Sequence, residues 1–142
     1  MKHLLKLFTA FFLSFTALPI SNAFSYIFDD SNVNLAEQVI ASTPQMREHF
    51  MNMNIEVYAA CAASSISYAA WELRGDIVLT DEEQLLWTVI AKGTALARQN
   101  LLSMGYSDDL LGDTLQYKAS LIQNDNLMIV LSECASYMES LY

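Results

Sequence analysis

Ile55 to Leu73 reads IEVYAACAASSISYAAWEL, and this stretch decides the fold. Between Val57 and Trp71 it carries no charged side chain. Its residues fall into two stripes at three- and four-residue steps, Met53, Val57, Cys61, Ser64, Tyr68 and Trp71 on one and Ile55, Ala59, Ala62, Ile66, Ala69 and Leu73 on the other. A helix that is apolar on every side belongs inside a protein. Ala59, Ala60, Ala62, Ala63, Ser64 and Ser65 lack bulk, so neighbouring helices can come close there. The uncharged run is shorter than the roughly 20 residues a bilayer core demands and holds serines, which argues for a buried central helix and against a membrane span.

Working outward, each flank supplies helix signals. Upstream, Asn32 or Asn34 suits the cap of a short helix carrying Leu35, Val39 and Ile40. Thr43 as cap and Pro44 at the first helical position then open a helix whose Met46, Phe50 and Met53 lead into the central stretch, with Met51 to Asn54 as its weak point. Downstream, Gly75 is the stop signal. Arg74, Gly75 and Asp76 also spell an integrin-adhesion tripeptide, but a match this short carries no weight when the glycine already has a capping role.

Thr80 and Glu83 form a capping box, and Leu85, Leu86, Val89, Ile90, Gly93, Leu96, Ala97 and Met104 give the next helix its inner side. Gly93 costs up to about 1 kcal/mol against Ala inside a helix, a cost that close packing against the small residues of the central stretch would offset. Gly105 ends that helix. Ser107, Asp108 and Asp109 cap another with Leu111, Leu115, Ala119 and Ile122 facing in, and after Asn124 to Asn126 a last helix runs from Leu127 to Leu141. No alternating strand pattern and no repeat interrupts this series. The expected fold is all-α, a single small bundle of about five helices.

The first residues place the chain. Lys2, His3 and Lys6 precede an apolar block from Leu7 to Leu18, and Ser21 and Ala23 are small, which is the form of a secretory signal cut after Ala23. Residues 1–23 are therefore read as a signal peptide and 24–142 as one helical domain in the periplasm or outside the cell. Taking 23 residues from 142 leaves 119, enough for one core. Lys2 and Lys6 leave with the signal, so 5 of the 7 Lys and Arg remain against 16 Asp and Glu, a formal charge of −11. Nucleic acid and anionic membrane surfaces reward positive charge, so a cationic protein is the favoured partner and stable membrane insertion is not expected.

Two cysteines in an exported chain imply a disulfide between Cys61 in the central helix and Cys134 in the last. Cys134 sits on an apolar stripe with Leu127, Leu131, Met138 and Leu141, so two matching faces can meet. Neither cysteine has a basic neighbour or a Cys-x-x-Cys partner to make it reactive.

Signs of chemistry are few. His49 is the sole histidine after residue 23, no Gly-rich phosphate loop is present, and the acids at 81–83 and at 108, 109 and 113 suit helix starts without invoking a metal. No cofactor is implied. The expectation is a non-enzymatic protein that acts by binding another protein, as an inhibitor, an immunity partner or an accessory factor. Phe24, Tyr26 and Phe28 of its aromatic N-terminal arm are the candidate contacts.

A carrier with an apolar interior is the alternative, with Met46, Met51, Met53, Tyr58, Tyr68, Trp71, Met128, Tyr137 and Met138 as lining. An enzyme built on a carboxylate pair ranks third. A small exported acidic bundle with one cysteine early and one on the last helix is similar to several groups of bacterial periplasmic proteins, including some immunity proteins of toxin secretion systems. That similarity is one of architecture and carries no functional residue over.

The cysteine reading is testable directly. Cys61→Ser is expected to leave a titratable thiol at Cys134 and to cost about 4 kcal/mol, seen as a lower melting temperature, whereas two thiols already titratable in the native chain would contradict the bridge.

Overall fold

The computed structural model describes residues 28–141, so the expected signal peptide, Phe24 and Tyr26 lie outside the described residues. Six α-helices and no strand make up the described residues: α1 (Asp30–Ser42), α2 (Pro44–Met51), α3 (Ile55–Leu73), α4 (Asp81–Ser103), α5 (Asp108–Gln123) and α6 (Leu127–Glu139). The count is six and not five because the expected helix from Pro44 through Leu73 is cut in two. Asn54 adopts an extended backbone and its side chain accepts a hydrogen bond from the Val57 amide at 2.9 Å, which starts α3 afresh. An asparagine gains more by capping than by continuing a helix.

Other boundaries differ from expectation for similar local reasons. Asp29, and neither Asn32 nor Asn34, caps α1 by accepting from the Ser31 amide at 2.9 Å. Thr43 occupies the cap position of α2 but makes no side-chain bond, and Pro44 opens the helix with no amide proton to satisfy. The capping box at Thr80 and Glu83 forms as read, with bonds of 3.0 and 3.1 Å. Gly75 (φ 79°), Gly105 (φ 101°) and Asp125 (φ 64°) take the left-handed backbone after α3, α4 and α5. At each of these ends the next amide turns back to a carbonyl of the last turn: Asp76 to Trp71, Tyr106 to Leu101 and Asn126 to Leu121.

α3 is the axis of the bundle. It packs against α4, α5 and α6, while α1 and α2 lie on α4. Every residue from Tyr58 to Ser67 is buried. The hydroxyls of Ser65 and Ser67 donate to the Ala62 and Ala63 carbonyls of their own helix, at 3.0 and 2.6 Å, whereas the buried Ser64 hydroxyl has no hydrogen-bond partner among the described residues. Cys61 and Cys134 form the expected disulfide between α3 and α6, with Cα atoms 4.8 Å apart and exposures of 0 and 1%. The inward face of α6 is carried by Val130 and Cys134, with Leu131 only half-buried, and Leu141 falls beyond the helix end.

Gly93 packs against a different neighbour from the one its sequence context suggests. The Phe50 ring of α2 rests on it, and a Cβ at position 93 would lie 2.2 to 2.3 Å from three ring carbons. Phe50 is fully buried there, so the glycine is the seat that fixes the short α2 on α4. Helix propensity alone would make Gly93→Ala stabilising by about 1 kcal/mol. The clash predicts the opposite sign, a loss of about 1–3 kcal/mol in chemical denaturation, partly recovered when Phe50→Leu is added.

Candidate functional site

The Gly75 turn reverses the chain after α3 and brings the start of α4 back beside its end. Leu79 N and Gln84 Nε2 both donate to Glu72 Oε2, at 3.0 and 2.9 Å, so one carboxylate fastens the connector and the first turn of α4 to α3. Trp87, one turn further along α4, stacks on Tyr68 with centroids 4.7 Å apart and planes 14° from parallel, and Trp71 meets Tyr68 edge-on at 5.4 Å. These contacts shape a cavity of about 240 Å³ between the start of α1, the end of α3 and the start of α4. Phe28, Trp87, Ala69 and Leu79 are its apolar lining, and Asp29, Glu72, Asn32, Gln84 and Thr88 its polar lining.

The cavity is negative. Among the described residues, both charged side chains that line it are acids, Asp29 and Glu72. Hydrogen bonds from the Ser31 hydroxyl and from the Ser31 and Asn32 amides hold Asp29 below the usual carboxylate value, so it is ionised at neutral pH. Asp30, Asp76, Asp81, Glu82 and Glu83 are exposed on the segments that carry the lining residues. Burial, with the charge of Glu83 adding to it, raises the pKa of the Tyr68 phenol. Arg74 belongs to the same region and pairs with Asp76 at 3.4 Å. Leu73 and Val78, next in sequence to the lining residues Glu72 and Leu79, stand exposed, Val78 at 93%.

Of the residues singled out from sequence, Phe28 is placed here. It is 8% exposed, packs with Val33, Ala69 and Ala91, and walls the cavity. Phe24 and Tyr26 lie outside the described residues. Cys61 and Cys134 meet in the core, away from the residues lining the cavity. Of the residues expected to line an apolar carrier cavity, Met53 and Tyr58 fill the core, Met128 is exposed, and none lines the cavity described above.

Glu72, Gln84 and Trp87 were missed by sequence reasoning. Their signal was faint: Glu72 is the acid that ends the uncharged run, Gln84 directly follows the capping box, and Trp87 comes about one turn later.

Further polar contacts join helices, among them Lys92 of α4 with Glu37 of α1 at 2.9 Å and Asn100 Nδ2 of α4 donating to the Met51 carbonyl of α2 at 2.8 Å. Lys118, 5% exposed, bridges Glu56 of α3 at 2.9 Å and Glu133 of α6 at 2.8 Å. Tyr137 of α6 donates its hydroxyl to the His49 carbonyl at 2.6 Å, His49 Nε2 lies 2.7 Å from the Tyr137 carbonyl, and the two rings stack at 4.1 Å. Arg98 pairs with Asp108 beside Tyr58. Among the described residues no three His, Cys, Asp or Glu side chains converge to hold a metal ion. None of the described helices is long and apolar enough to cross a membrane. No protein-family model matches this chain, and no curated protein or solved structure matches it either.

Two of these clusters predict alkaline sensitivity. Burial alone would lower the Lys118 pKa, but hydrogen bonds and charge from Glu133 and Glu56 outweigh it and raise the value above 10.5. Its stabilising contribution is whole below 10.5 and is lost as pH rises through the folded value. Burial likewise pushes the Tyr58 phenol up to about 12, so the unfolded tyrosine ionises first and the loss has the same sign. The urea midpoint is expected to fall between about pH 10 and 12. The fall should be shallower in Lys118→Met and in Tyr58→Phe, and a midpoint flat across that range would contradict both assignments.

Proposed function

We propose that this is an exported protein that acts by binding a cationic protein, as an inhibitor, an immunity partner or an accessory factor of the cell envelope. The side of the bundle formed by the start of α1, the end of α3 and the start of α4 is the face that meets it. Export is supported by the form of residues 1–23 and by the buried disulfide, a bond that persists in oxidising compartments.

The observation that carries the docking face is the uneven use of charge. Of the 5 basic residues after residue 23, Arg74, Lys92, Arg98 and Lys118 are held in ion pairs. Asp30, Asp81 and Glu82 of this face are exposed and make no ion pair among the described residues, and Leu73 and Val78 of the same segments are exposed too. Such a face attracts a positive surface over a distance and then offers apolar area to it at contact.

Reversing two exposed charges that take no part in the capping box tests the reading. Asp81→Lys with Glu82→Lys should cost up to about 1 kcal/mol each in stability through the helix dipole. Against the partner recovered from the envelope of the native cell, the association rate should fall about tenfold at low salt and converge with the unmodified chain at high salt. A partner whose association ignores both salt and charge reversal, or a chain that meets no protein there, would remove this reading.

A further inference from the structure

We propose that the cavity bounded by Glu72, Asp29 and Trp87 is the receptor for a single arginine side chain of the partner, an inference that rests on the protein-binding reading above. The size is the first argument. Pockets that take whole small molecules span about 300–1,000 Å³, and this cavity, at about 240 Å³, is scaled to one side chain.

The lining is the second argument. Glu72 Oε2 is held by Leu79 N and Gln84 Nε2, which fixes the carboxylate in place, and no donor among the described residues reaches Oε1. Asp29 adds a second ionised acceptor whose orientation is set by its bonds to Ser31. Among the described residues neither Lys nor Arg lines the cavity to neutralise them. Trp87, braced by Tyr68, supplies an aromatic wall of the kind that favours cations.

Arginine fits this set better than lysine. Its guanidinium is flat, carries five donors in a fixed fork and sheds water more readily than an ammonium, so it can meet a carboxylate and an indole together. Leu73 and Val78, exposed and each next in sequence to a lining residue, are available to cover the apolar stem and backbone around the inserted residue.

The probe is N-acetyl-arginine amide, with its neutral isostere N-acetyl-citrulline amide as control, titrated into the disulfide-bonded chain and followed by the indole resonances of Trp71 and Trp87. The arginine compound is expected to shift the Trp87 resonance saturably, with citrulline at least about tenfold weaker. Glu72→Gln and Asp29→Asn should each weaken binding several-fold. Asn still caps α1, so the second variant keeps the fold even if the first does not. Equal shifts from citrulline, or arginine shifts that map to the acids of α5 and leave Trp87 unmoved, would overturn the proposal.

The two readings fail separately. A partner that still responds to Asp81→Lys with Glu82→Lys while the arginine probe is ignored overturns the cavity alone. Arginine uptake at Trp87 in a chain that meets no protein overturns the protein partner alone.

Discussion

The structure depends on enclosing one helix from all sides. α3 has no polar face to turn toward water, so its burial is complete only when α4, α5 and α6 are all in place around it. Such a helix gains stability from its neighbours far more than from its own propensity. The Cys61–Cys134 link makes that enclosure harder to lose, since it ties the axis to the last helix across a separation of 73 residues and restricts the unfolded chain. Small residues on α3 carry the remaining part of the solution. Where Ala and Ser replace larger side chains the surrounding helices approach, and the hydroxyls of Ser65 and Ser67 return to their own backbone, while that of Ser64 is buried without a partner among the described residues.

Around that axis the polar side chains act mostly as fasteners between helices. Lys118 lies where α3, α5 and α6 meet, and the reciprocal His49 and Tyr137 bonds join α2 to α6 across 88 residues. Phe50 seated on Gly93 holds α2 to α4 by shape, alongside the hydrogen bond from Asn100 Nδ2 to the Met51 carbonyl. Buried ion pairs add little net stability, because desolvation offsets much of their attraction.

The cavity beside α3 follows from the same economy. Glu72 ends the apolar run and spends one carboxylate oxygen on closing the chain reversal at Gly75. Its remaining charge joins those of Asp29 and of the first turn of α4, and the chain has few cations left to balance them. The acids at helix starts thus have a local role in capping and a collective one in setting the sign of a surface. On the proposed reading, that surface and its cavity are what a basic partner recognises.

Much of the fold was legible in the primary structure because the relevant signals are local or pairwise. The uncharged run from Val57 to Trp71, the box at Thr80 and Glu83, the stops at Gly75 and Gly105 and the cysteine pair each report their role through immediate neighbours or through a chemical bond with no competitor. The break at Asn54 was visible only as a weakness, because capping and helix continuation there differ by about 1 kcal/mol and the surrounding packing decides between them. Phe50 as the neighbour of Gly93 could not be read, since any of several apolar surfaces fits a missing side chain and only the placing of α2 on α4 selects one. Glu72, Gln84 and Trp87 look unremarkable in the linear chain. They become a site once the reversal at Gly75 brings the end of one helix against the start of the next, because a cavity depends on three-dimensional proximity that residue order does not encode.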